Sequence, residues 1–158
     1  QAIHVRQGSR LQEFKEDKIY DGRCLCGEVR YQVKGAPVVV AHCHCEDCQR
    51  LTGAGHSTGA MYAVENFEIA GRVGTYDLKS ENGNTVTRVF CPNCGSPIHG
   101  QNTGMPGFVT VSLGTLDNSS DFKPEVAVFA RNQKHWDLMD ENLMTFEAQP
   151  HWKPEENA

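Results

Sequence analysis

Apolar residues along this chain recur mostly at a spacing of two, the period of a half-buried strand. Val29, Tyr31 and Val33 alternate with polar neighbours, and Val38 to Ala41 is an apolar, β-branched run after Pro37. Val86 to Phe90 and Phe108 to Leu113 alternate again, and Glu125 to Ala130 is a further candidate strand. Gly71, Gly74, Gly83 and Gly104 punctuate these runs, and Asn82-Gly83 marks a turn between Tyr76 and Val86. Helical signals are few. One short helix is expected from Leu11 to Lys18, and another from Glu46 to Thr52, stopped by Gly53. The pattern predicts a mainly β domain, an antiparallel sheet with few short helices, over residues 22–150. A polar N-terminal extension, residues 1–21, precedes it, and a polar, frayed tail, residues 151–158, follows.

Length and charge narrow the function classes. A chain of 158 residues is most simply one domain, large enough to bury about two-thirds of its unfolded surface. With 39% hydrophobic and 22% charged residues, it has the composition of a folded globular protein. A net charge of −5, with Lys and Arg scattered among more numerous acids, argues against nucleic-acid binding. No apolar stretch approaches membrane-spanning length, so no membrane partner is expected, and the first twenty residues carry no signal-peptide core.

The seven cysteines change the picture most. Cys24 and Cys26 form a CxC, Cys43, Cys45 and Cys48 a CxCxxC, and Cys91 and Cys94 a CxxC. Cys26-Gly27 and Cys94-Gly95 look like two jaws of one clamp, in which glycine takes the positive φ that turns backbone N–H groups toward sulfur. Two distant pairs supply the four thiolates of a closed, tetrahedral structural zinc site. Disulfides fit less well, since a bridge within CxC closes a small strained ring and an odd total leaves one thiol over. Metal-spaced free thiols fit a reducing compartment, with the cytoplasm as the expected location.

The middle cluster, Cys43, Cys45 and Cys48, can chelate one zinc ion from a single loop and leave a fourth position open for chemistry. Cys48 near a helix start, behind Glu46 and Asp47, favours the thiolate. The competing arrangement closes the site with His42, His44 or His56. A three-thiolate zinc carries a net negative charge and suits an incoming thiol better than water activation. Positive charge near this cluster is sought at Arg50, adjacent in sequence, and at Arg131 and Lys134, which folding could bring close. Glu46, Asp47, His44 and His56 are proton-transfer candidates only by their nearness in sequence. Trp136 is read chiefly as an anchor of the C-terminal segment on the sheet.

With these clusters placed, the chain resembles the glutathione-dependent formaldehyde-activating enzyme family, which also includes centromere protein V. The resemblance rests on GRCLCGEVRY, AHCHCEDCQRLTGA and VTRVFCPNCGSPI, and more weakly on SLGTLD and HWDL. It implies a β-tent-like fold, a structural zinc at Cys24, Cys26, Cys91 and Cys94, and a catalytic zinc at Cys43, Cys45 and Cys48. It further implies glutathione as co-substrate and a carbon–sulfur lyase activity, joining that thiol to formaldehyde as S-(hydroxymethyl)glutathione. Two alternatives stand beside it. One is a non-catalytic, zinc-stabilised glutathione-binding or protein-interaction module. The other is a zinc lyase or hydrolase acting on another small carbonyl or imine.

Overall fold

A computed structural model describes the backbone of residues 4–7 and 10–13 and all atoms of residues 14–150. In chain order the elements are β1 (His4–Gln7), β2 (Arg10–Glu13), β3 (Ile19–Arg23), β4 (Arg30–Lys34), β5 (Val39–Cys43), α1 (Glu46–Thr52), β6 (Ser57–Ala63) and β7 (Phe67–Ala70). They continue as β8 (Gly74–Lys79), β9 (Thr85–Phe90), β10 (Pro97–Asn102), β11 (Phe108–Ser112), β12 (Val126–Val128) and β13 (Met144–Thr145). The fold is mainly β, as the alternation predicts. The frayed-tail expectation, residues 151–158, lies outside the described residues.

An eight-stranded sheet runs in the order β13-β12-β5-β6-β11-β10-β9-β8, and a three-stranded sheet in the order β3-β4-β7. Pairing is antiparallel except at one edge, where β12 runs parallel to β5 and to β13. The two larger sheets share one core. Tyr31 and Val33 from β4 meet Val40, Ala60, Tyr62, Ile98, Val109 and Val111 from the eight-stranded sheet. Each fully buried aliphatic side chain of this kind contributes about 1.5–3 kcal/mol by leaving water. Cys24 and Cys91 belong to the same core, so a metal there would sit at the junction of the sheets.

The helix expected from Leu11 to Lys18 is not formed. Arg10–Glu13 is instead a strand, paired antiparallel with β1, and residues 16–17 turn the chain into β3. Tertiary contact overrides the weak helical pattern, because Phe14 is buried and packs edge-on against Tyr20 and Phe122. Two core aromatics therefore precede residue 22.

Glu125 leads into β12 and accepts a 3.3 Å hydrogen bond from the Val40 backbone N–H. Burial pushes its carboxyl up to about 7 against that one stabilising contact. A carboxyl raised on folding binds a proton that the unfolded chain has already released, so this contribution to stability is lost as pH climbs from about 4.5 to about 7. Glu125→Gln should abolish that slope. Urea melts are expected to show the variant about 1–2 kcal/mol more stable than wild type at pH 8, with little difference at pH 4.5.

Candidate metal centres

The first cysteine group lies where two hairpins end. Cys24 follows β3 and Cys26 precedes β4, while Cys91 follows β9 and Cys94 precedes β10. Gly27 and Gly95 both adopt positive φ, at 82° and 80°, which closes each knuckle. Backbone donors then face sulfur: the Val29 N–H reaches Cys24 Sγ at 3.3 Å, and the Cys94 N–H reaches Cys91 Sγ at 3.5 Å. The Ser96 hydroxyl, 3.2 Å from Cys94 Sγ, is the largest influence holding that thiol down, to about 5. Sulfur separations are 3.5 Å for Cys24–Cys26 and 3.7 Å for Cys26–Cys91, and all four lie within 4.8 Å of one another. Four sulfurs around zinc at bonds of about 2.3 Å stand about 3.8 Å apart, so this donor set fits zinc.

The second group brings Cys43, Cys45 and Cys48 within 4.8 Å of one another. Cys43 ends β5. Cys45 is the N-cap of α1, with φ −61° and ψ 155°, and its sulfur accepts the Cys48 N–H at 3.3 Å. Cys48, inside the first turn, is buried. Its thiol is held well below the ordinary range by hydrogen bonds from Cys43 and Cys45, helped by the Arg88 charge and the Ser57 hydroxyl, against the cost of burial. The same sharing pushes Cys43 up. Among the described residues no histidine groups with these sulfurs, so the closed three-cysteine, one-histidine arrangement is not formed.

His44 and His56 gather instead with Asp137, a residue not singled out in the sequence. His42 Nδ1 lies 2.8 Å from the Thr58 hydroxyl, and burial, with its histidine neighbours, pushes its ring down to about 4. Two of the cations sought near the thiols are engaged elsewhere, and the third faces solvent. Arg131 pairs with Glu81, Lys134 reaches Glu46 at 3.3 Å, and Arg50 is exposed in the last turn of α1. Glu46 and Asp47 are exposed at the helix start. Trp136 does not anchor the C-terminal segment, because 59% of it faces solvent.

The cation that does meet the thiols is Arg88, whose Nη2 donates to Cys48 Sγ at 3.5 Å from β9. Arg88 and Ser57 also line a cavity of about 210 Å³, together with Thr110, Ser112 and His99. His99 is buried because β10 shifts register between Pro97 and His99, which breaks the strict alternation and turns Ile98, His99 and Gly100 inward together. Burial pushes the His99 ring down, so it is neutral near pH 7, and its Nδ1 has no hydrogen-bond partner among the described residues.

Residues 19–132 match the model of a family described as glutathione-dependent formaldehyde-activating enzyme. The chain belongs to that family. Membership links the protein to glutathione and formaldehyde chemistry at family level. A search of curated proteins returns no match. Among solved structures, the chain is similar to a Rhodobacter sphaeroides protein from a structural genomics programme, with 20% identity and a TM-score of 0.51. That similarity covers 62% of this chain and 88% of the other, and it bears on the fold alone. No helix among the described residues is long and apolar enough to cross a membrane.

Proposed function

We propose that this protein is a zinc-dependent carbon–sulfur lyase that joins glutathione, or a similar thiol, to formaldehyde or another small aldehyde. The observation that carries this reading is the sharing of Arg88 and Ser57 between the wall of the cavity and Cys48. Cys24, Cys26, Cys91 and Cys94 would hold one zinc as a structural clamp, and Cys43, Cys45 and Cys48 a second. When bound at the three thiolates, that ion supplies a soft Lewis-acid position for a thiol sulfur. Arg88 offsets the negative charge that a fourth sulfur would add beside Cys48.

The reaction is an addition. A carbon–sulfur bond forms as the carbonyl π bond opens, and the thiol proton ends on the new hydroxyl oxygen. His99, neutral and on the cavity wall, is the group we assign to carrying that proton. A cavity of about 210 Å³ suits the cysteinyl end of the thiol together with a small aldehyde, leaving the rest of a tripeptide at its mouth. The reducing cytoplasm is the proposed location.

Thiols add to formaldehyde without help, so the test must measure exchange at equilibrium. Catalytic amounts of protein should speed NMR-detected exchange between free glutathione, formaldehyde and S-(hydroxymethyl)glutathione. Calorimetry should show proton release on binding glutathione and little on binding S-methylglutathione, which has no thiol to ionise. Exchange that stays at the uncatalysed rate would remove the lyase assignment and leave a glutathione carrier or interaction module.

A further inference from the structure

We propose that His44, His56 and Asp137 form a third metal site, separate from both cysteine centres, which takes a divalent transition metal through two imidazole nitrogens and one carboxylate oxygen. It stands independently of the lyase reading.

The chain builds this site by strand register. β5 and β6 pair with His42 opposite Thr58 and Cys43 opposite Ser57, so continuing that register sets His44 opposite His56. Side chains alternate along an extended segment, which sends His44 to the face opposite Cys43 and Cys45. Asp137 arrives from the far end of the chain, in a turn closed by its N–H on the Lys134 carbonyl. Gly55 leaves room for it, since a Cβ there would lie 2.4 Å from Asp137 Oδ2.

Asp137 stands close to metal-site separation from each histidine, and the three donors are near enough for one ion to draw together. Asp137 Oδ2 is 2.7 Å from His56 Nδ1 and 3.4 Å from His44 Nδ1, and all three lie within 4.8 Å of one another. Ligands bonded to one ion at about 2.0–2.2 Å are spaced roughly 2.8–3.5 Å apart. The group is enclosed, with side-chain exposures of 0% for His44, 20% for His56 and 12% for Asp137.

Hydrogen bonding serves His56 well and His44 poorly. His44 is fully buried, yet among the described residues its Nδ1 has only two long oxygen contacts, the Gly55 carbonyl at 3.3 Å and Asp137 at 3.4 Å. Its Nε2 has no partner among the described residues. Long contacts leave Nδ1 short of a full hydrogen bond, and an ion between the three donors gives Nδ1 a full-strength partner while Nε2 carries the ring proton. Two imidazoles and one carboxylate suit zinc, cobalt(II), iron(II) or manganese(II), with coordination positions left open. Binding would pin the 134–137 turn onto the loop between α1 and β6.

Cobalt(II) provides the probe, because thiolate-bound cobalt shows sulfur-to-metal charge transfer in the near ultraviolet and a nitrogen–oxygen site does not. Full-length protein titrated with Co²⁺ should take two equivalents with that band and a third with weak visible absorption alone. Asp137→Asn keeps the side-chain shape and a hydrogen bond to His56, so the fold and the charge-transfer band should persist. It should weaken the third equivalent at least about 100-fold, the upper end of what removing even an outer-shell partner costs, and His56→Ala should do the same. A wild type that stops at two equivalents, or an Asp137→Asn that binds the third unchanged, overturns the proposal and leaves a carboxylate bridging two histidines.

Discussion

Cys91→Ser is expected to lower the melting temperature by at least about 10 °C, or to leave no cooperative transition. Cys91 is fully buried within the core and faces Cys26, 65 positions away, across 3.7 Å. A metal shared by these knuckles ties β3 and β4 to β9 and β10. Structural zinc contributes about 10–16 kcal/mol in small modules, as much as the whole stability of a typical domain. Serine offers no thiolate, and the three remaining sulfurs would then stand together at the edge of the core without a closed metal site. At this chain length a loss of several kcal/mol moves the melting point by the stated amount. Cys45→Ser is the control. Its three-thiolate loop cross-links only residues 43–48, and serine is itself a good N-cap for α1. Circular-dichroism melts should place this variant within a few degrees of wild type. Equal losses in both would make both centres structural and favour the interaction-module reading.

Features legible in the sequence are those set by neighbours a few residues apart. Tyr31 and Val33 alternate with exposed partners in β4, and burial follows the pattern. α1 runs from Glu46 to Thr52 and ends at Gly53, with φ 70°, because the stop signal is local. The cysteine knuckles are local too, and their glycines take the expected conformation. β6 and β10 carry no clear alternation, each for its own reason. Gly59 and Ala60 dilute the apolar signal of β6, and a bulge at Pro97–His99 breaks the period of β10. Parallel pairing of β12 with β5 has no sequence signature at all. The residues most consequential for the site were hidden by distance along the chain. Arg88 meets Cys48 across 40 positions and Asp137 meets His56 across 81, so only the folded topology brings them together. Nearness in sequence pointed instead to Arg50 and Glu46, which α1 turns outward.

Cys48→Ser and Arg88→Ala are expected to separate the chemistry from the fold. Cys48 carries the lowest-lying thiol of its group and touches both polar residues that continue into the cavity. Losing it removes a metal ligand and the contact between centre and cavity together, so the catalysed part of the exchange should fall at least about 100-fold. Arg88→Ala leaves all three sulfurs in place and removes their only close cation among the described residues. A hydrogen bond to a charged group is worth about 1.5–3 kcal/mol, which corresponds to a loss of about 10- to 100-fold in rate. The pH dependence has a definite sign. Hydrogen bonds from Cys43 and Cys45 hold the Cys48 thiol down and the Arg88 charge adds to them, so removing Arg88 raises that thiol and leaves less thiolate at any given pH. Metal retention at the three-thiolate site of Arg88→Ala should therefore fail at a higher pH than in wild type, while Arg88→Lys, which keeps the charge, should lie between them. Exchange rates measured by NMR, with metal content followed from pH 8 down to pH 5, provide the check. An Arg88→Ala variant with wild-type exchange and wild-type metal retention would mean that the cavity beside Cys48 is not where thiol and aldehyde meet.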